Sequence, residues 1–350
     1  MNDEPVPADR GYAPGQLQAL RRFAAGITVL TVLGHAWLGF EQSYAQPLVA
    51  LATGYGMQML LEALDAWGAG RRPRFAGGPL KVVDFLLSAH ISALAVAMLL
   101  YYNDRLWVVA FATAVAVGSK TIFRAPVGEG TRHFFNPSNL GISVTLLLFP
   151  WVGLLMPWQF TAALGPVGDW ALPALLVFLG CFLNGVYNKR LPLIAGFAAG
   201  FVLQLGLRAL VFQTPLLAVL APLTGPAAII YVFFMLPDPA TTPGRPRAQA
   251  AFGFAVAVVY LLLVVLHIAF GLFFALTIVC AARGLWLWAA YLARRHSTTG
   301  SARPSTPPSA DRPVANGPEP PPAALPSQTP SAAGIVLSAN TNTPASPGNP

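Results

Sequence analysis

Apolar stretches long enough to cross about 30 Å of hydrocarbon recur along most of this chain, and no other feature constrains its fold as strongly. Runs of roughly 17 to 22 residues lie near 20 to 40, 47 to 67, 82 to 102, 106 to 123, 138 to 156, 171 to 188, 191 to 212, 216 to 236, 250 to 267 and 270 to 292. They predict an all-α polytopic membrane protein of about ten transmembrane helices. Composition agrees, because 55% hydrophobic and only 10% charged residues are too apolar for an ordinary soluble domain of 350 residues. The formal net charge of +8 does not mark a nucleic-acid surface, since the basic residues stand in short groups at the ends of apolar runs. The expected partner is the lipid bilayer, not nucleic acid. Cys181 and Cys280 each fall inside an apolar run, so they read as small core residues and no metal site is indicated.

Charge then orders the spans. With ten, one face collects Arg10, Arg21, Arg22, Arg71, Arg72, Arg74, Lys81, Lys120, Arg124, Arg132, Lys189, Arg190, Arg245, Arg247, Arg294 and Arg295, while the other receives Arg105 and Arg208. The positive-inside rule places the basic face and both termini in the cytosol. Two sets of five spans would be upside down relative to each other, which makes an inverted repeat with broken helices the expected architecture. Asn136-Pro137-Ser138-Asn139 and Gly141 interrupt the entry to span five, Pro222, Gly225 and Pro226 interrupt span eight, and His267 to Gly271 is the turning point between spans nine and ten. Three regions follow: a cytosolic segment over 1–18, a transmembrane domain over 19–295, and a tail over 296–350. The tail is predicted to be disordered, because 13 prolines and no aromatic residue from Ser297 onward leave it too little apolar surface to order.

Polar groups concentrate in two segments. The first, from Gly128 to Asn139, contains Glu129, Arg132, His133, Asn136 and Asn139. Asn136 or Ser138 can cap a helix carrying Pro137 in its first turn, and the free N–H groups there attract an anion such as a phosphate; capping alone is the plainer role. In the second, Pro237 to Arg245, Asp238 can cap a turn, pair with Arg245 or Arg247, or approach a cation. Within the spans, Glu62, Asp65, Asp84, His90 and Arg283 are ionisable where burial is costly, and each requires a partner. Glu62 and Asp65 lie near a helix end and can snorkel, whereas His90 and Arg283 sit deeper and are candidates for a proton or ion pathway. Gly118-Ser119-Lys120 reads as a span end with its lysine at the interface.

Gly118-Ser119-Lys120-Thr121-Ile122-Phe123, then Phe135-Asn136-Pro137-Ser138-Asn139-Leu140-Gly141 running into Leu146-Leu147-Leu148-Phe149-Pro150, resembles the first signature of the NqrB/RnfD family of membrane electron-transport subunits. Phe233-Phe234-Met235-Leu236-Pro237-Asp238-Pro239, followed by Thr241-Thr242-Pro243-Gly244-Arg245, is similar to its second. The resemblance covers roughly residues 20 to 293. The Phe135-Asn136-Pro137-Ser138-Asn139 form is also similar to a divergent branch of the family associated with enediyne biosynthesis, from which no enediyne substrate is inferred. The resemblance implies a ten-helix inverted repeat, a flavin, electron transfer coupled to ion movement, other redox-complex subunits as partners, and a bacterial-type cytoplasmic (inner) membrane. It places FMN or riboflavin around Arg132, His133, Asn136, Asn139 and Asp238.

Two departures qualify that implication. The family attaches FMN covalently to a threonine in a Ser-x-Ala-Thr context, and here the span five to six loop supplies Thr161 outside that context. Thr241 and Thr242 fall on the opposite face by the charge rule, so a covalent flavin is not expected and a bound one should be non-covalent. Pro237 stands where the family has threonine. Three functions stay open: a component of a membrane oxidoreductase complex, a repurposed transporter or channel-like permeation protein, and a membrane scaffold whose tail recruits partners.

Overall fold

The computed structural model describes residues 14–128, 130–155 and 160–300. Glu129, Pro157 to Gln159 and the tail from 301 lie outside the described residues. Among those described, the order is α1 (Pro14–Leu33), α2 (Ala45–Gly68), α3 (Pro79–Leu99), β1 (Leu100–Tyr101), α4 (Leu106–Ile122), β2 (Arg124–Val127), β3 (Gly130–His133), α5 (Pro137–Leu148), β4 (Gly153–Leu154), α6 (Gly165–Phe182), α7 (Leu191–Phe212), α8 (Leu216–Thr224), α9 (Pro226–Ile230), α10 (Pro246–Val265) and α11 (Gly271–Gly300). Single π-helical turns continue α1 (Gly34–Leu38), α6 (Leu183–Tyr187) and α9 (Tyr231–Met235).

Each of the ten apolar runs is wholly or partly helical, and six helices are long and apolar enough to cross a membrane. The protein is an all-α, multi-pass membrane protein by this measure. The other runs depart from simple spans. Helix α5 stops at Leu148, and its 12 residues cover only about 18 Å at the α-helical rise, well short of the hydrocarbon thickness. The chain then pairs Leu100 with Leu154 and Tyr101 with Gly153 as an antiparallel bridge. The run from 216 to 236 breaks at Gly225, which ends α8 in an extended conformation and precedes Pro226 in the first turn of α9. The expected turn between spans nine and ten lies where α10 ends at Val265 and α11 begins at Gly271, with His267 and Phe270 in the left-handed region at φ 59° and 56°.

Burial is arranged as lipid requires. Large apolar side chains face outward, with Trp67 84%, Trp170 81% and Leu217 81% exposed. Polar side chains such as Gln46, Thr113, Asn139, Asn184 and Gln204 are buried. Because lipid tails are as apolar as leucine, helices associate by close packing and interhelical hydrogen bonds. Helices α7 and α10 make the most extensive contact in the fold. A Cβ at Gly196 would overlap the Ala250 carbonyl, and one at Gly253 would overlap the Leu193 carbonyl, so main chain meets main chain there. Gly141 lets α5 approach the Ala112 carbonyl of α4 in the same way.

Candidate functional site

The two polar segments meet at one end of the bundle. Asn136 caps α5: its Oδ1 accepts from Asn139 N at 3.0 Å and from Ser138 Oγ at 3.0 Å. Its amide Nδ2 donates to Met235 O at 3.0 Å. That carbonyl belongs to the last residue of the π-helical turn just ahead of Asp238, so one buried asparagine both starts a helix and fastens the first segment to the second. Asn139 Nδ2 reaches α11, donating to Phe273 O at 3.0 Å and Thr277 Oγ1 at 2.8 Å, and Ser143 Oγ joins Thr277 at 2.8 Å. Its Oδ1 is buried without a protein partner.

The second segment folds around Asp238. The carboxylate accepts from Ala240 N at 3.0 Å and Thr241 Oγ1 at 3.1 Å, and the Asp238 carbonyl accepts from Thr242 Oγ1 at 2.6 Å. It closes on its own turn and not on Arg245 or Arg247. Two arginines from distant helices hold that turn. Arg190, buried at the start of α7, donates to Pro243 O and, at 3.3 Å, to Pro239 O; Arg283 of α11 donates to Thr241 O at 3.0 Å. Burial holds the Arg190 guanidinium below its ordinary pKa, with Asp238 opposing and Arg283 and Arg132 adding to that effect.

Above this turn lies the β2–β3 hairpin, in which Arg124 pairs with His133 and Ala125 with Arg132. Trp288 Nε1 of α11 donates to Arg124 O at 3.0 Å, and the Phe134 ring fills the space left by Gly284. Between hairpin, turn and α11 is a cavity of about 240 Å³, whose walls include Arg132, His133, Thr242, Gly244 and Arg283. Among the described residues, two arginines and a histidine line it and no carboxylate does. His133 is held below the ordinary histidine pKa chiefly by burial, with Lys120, Arg124 and Arg132 acting the same way against Asp238.

Of the residues expected to surround a cofactor, the fold therefore places Arg132 and His133 on this cavity. Asp238, Asn136 and Asn139 are not among its lining residues, and their polar groups organise the turn and helix beneath it. Arg283 lines the cavity, whereas His90 lines a separate cleft that shares no described lining residue with it. Other candidates also find partners. Glu62 accepts from Arg71 Nη1 at 2.6 Å and from Arg74 N at 2.8 Å and Nε at 2.7 Å, which ties the loop after α2 to the helix instead of letting the carboxylate snorkel. Asp65 pairs with Arg71, and Asp84 with Arg21 at 2.8 Å. Lys120 turns inward to Ser88 O of α3 at 2.9 Å rather than to the interface. Sequence reasoning missed Arg190 as a site residue, because a basic pair at a span end has the same appearance whether it orients the chain or clamps a turn.

The donor chemistry fits the phosphate of FMN, and riboflavin would leave those cations unanswered. At about 240 Å³ the cavity is smaller than the roughly 300–1,000 Å³ that encloses a whole drug-sized ligand, so it fits the phosphate end alone. No protein-family model matches this chain, and no curated protein matches it.

Proposed function

We propose that this protein is an integral membrane subunit of the NqrB/RnfD kind, binding FMN non-covalently by its phosphate and acting within a membrane oxidoreductase complex. The observation that supports this reading is the meeting of its two signature-like segments: the Asn136 to Met235 bond joins them, and together with Arg283 they wall a cationic cavity. FMN, when bound, supplies one- and two-electron chemistry. This chain's residues supply position and charge. Arg132 and Arg283 neutralise the phosphate, His133 donates a hydrogen bond from its protonated ring nitrogen, and Arg190 and Asp238 keep the Thr242 and Gly244 wall in place. The wider reading is ten spans, paired as inverted fives, with both termini cytosolic in a bacterial-type inner membrane. It draws on the ten apolar runs, each wholly or partly helical, and on the basic residues that the sequence places between alternate runs.

Binding discriminates this proposal. Purified full-length protein titrated with FMN should give saturable binding that riboflavin does not match, and Arg132→Ala with Arg283→Ala should each weaken FMN by roughly tenfold, the worth of one charge-assisted contact. Equal affinity for FMN and riboflavin would overturn the phosphate assignment. A second reading, permeation without flavin, draws on the helix broken at Gly225. Solute flux in vesicles by a protein that binds no flavin would favour it.

A further inference from the structure

A second cavity, about 570 Å³ in volume, lies between α1, α2 and α3, independent of the site above. At its inner end His90 is held between two hydroxyls: Nε2 lies 2.7 Å from Thr28 Oγ1 and Nδ1 lies 2.6 Å from Tyr55 Oη. The Thr28 hydroxyl donates its own proton to Ala24 O at 2.7 Å, so its oxygen accepts from His90 Nε2–H. Nδ1 is then the acceptor, and Tyr55 donates to it. The three residues come from the middle of their helices: Thr28 from an apolar stretch over Leu17–Leu38, Tyr55 from Ala45–Gly68 and His90 from Pro79–Leu99.

From there the cavity extends past Ala25 and Leu87 to Val83, Leu80 and the Arg21–Asp84 pair at the start of α3. That pair is two-pronged, with Arg21 Nε and Nη2 both 2.8 Å from the Asp84 oxygens. Hence an ionisable imidazole at mid-depth is joined, along a cleft lined by α1, α2 and α3, to one charged end of the bundle. An imidazole is retained in a membrane interior at a cost, and a function is the default expectation for it. The ionisable groups facing it are Tyr55 of α2, Arg21 of α1 and Asp84 of α3 itself. Lys120 of α4 is bound to the Ser88 carbonyl and hydroxyl on α3, and α5 contains no ionisable residue.

We infer that His90 is a proton-exchange site reached through this cavity from the end of the bundle marked by Arg21 and Asp84. The step balances as a relay. A hydronium ion in the cavity gives its proton to Tyr55 Oη while the proton already on Oη moves to His90 Nδ1. One O–H and one N–H bond form, two O–H bonds break, the hydronium becomes water, the phenol stays neutral and the imidazole takes the positive charge. Reversal returns the proton to the same side. The inference does not rest on flavin binding.

The test uses full-length protein labelled with ¹⁵N-histidine in lipid vesicles, with His90 identified by the signals that His90→Gln removes. Wild type should show the Nε2–H form and rapid exchange of protons between Nδ1 and water, read from the broadening of the Nδ1 ¹⁵N signal as the solution is acidified. Tyr55→Phe, which removes the relay hydroxyl, and Val83→Phe, which fills the cavity mouth, should each slow exchange by about tenfold or more, the equivalent of about 1.4 kcal/mol in a barrier. Ala25→Phe narrows the same passage from the facing helix and replaces Val83→Phe if that variant does not fold. A His90 ring that resists exchange in wild type would overturn the inference, as would rapid exchange that none of these substitutions slows.

Discussion

Helices α7 and α10 touch through their main chains, whereas α1 and α3 pack less extensively, beside a cavity of about 570 Å³, and are joined by polar side chains. Small residues produce the first arrangement. Gly196, Gly253 and Ala250 leave nothing between the two backbones, and Gly200 continues the stripe, its absent Cβ only 2.7 Å from that of Ala257. Polar side chains produce the second: Arg21 reaches Asp84, and Thr28 reaches His90. In lipid, where apolar surface gains little by leaving its surroundings, close fit makes a contact strong and hydrogen bonds make a loose one specific. A cleft bridged by polar groups is therefore where protons or ligands have room to enter, and a glycine seam is where they do not.

Breaking the seam should have the largest effect. Gly253→Leu forces a side chain into the Leu193 carbonyl and the Phe197 amide, and we expect a loss of roughly 3 kcal/mol or more, seen as aggregation or a sharply lower midpoint in detergent melting. A variant as stable as wild type would show that α7 and α10 are not packed this closely. Asn136→Ala comes next. It removes the α5 cap and the bond to Met235 together, at about 2 kcal/mol, and should also weaken FMN, whereas Thr121→Ala on the exposed face of α4 should do neither.

Acidification probes the charged cavity without mutation. Burial holds folded His133 below its ordinary pKa, so the unfolded chain takes up a proton first as pH falls. Its contribution should thus be neutral above about pH 6.5, the unperturbed histidine value, and increasingly destabilising below it, levelling off at its full penalty once the folded pKa is passed. His133→Gln should flatten that part of a melting-temperature profile; an unchanged slope assigns it to other groups. The smallest effect is expected at the mouth of the cleft, where the Arg21 and Asp84 side chains are 52% and 24% exposed. Arg21→Ala should cost less than about 1 kcal/mol, and a larger loss would mean that this pair, and not the triad deeper in, holds α1 to α3.

Much of this organisation can be read directly from local sequence. A polar Asn136-Pro137 ahead of an apolar run is a helix start wherever it occurs, and Asn136 does cap α5. Gly225-Pro226 breaks a helix because proline cannot continue the ladder behind it, and the break lies there. The seam between α7 and α10 also had a signal in Gly196 and Gly200, four residues apart on one helix face, although nothing in that spacing names α10 as the partner.

What the sequence by itself determined is the set of apolar helices and their breaks, because length, hydropathy and capping act over a few turns of chain. Only the tertiary structure decided that Tyr55 and Thr28, 35 and 62 positions from His90, are its partners, that Glu62 binds Arg71 and Arg74 instead of snorkelling, and that Arg190 and Arg283 clamp the Asp238 turn. The physical reason is that a helix apolar on all sides has no stripe to declare which face meets a neighbour. Facing is chosen by fit and by the few buried polar groups that must find one another across the bundle.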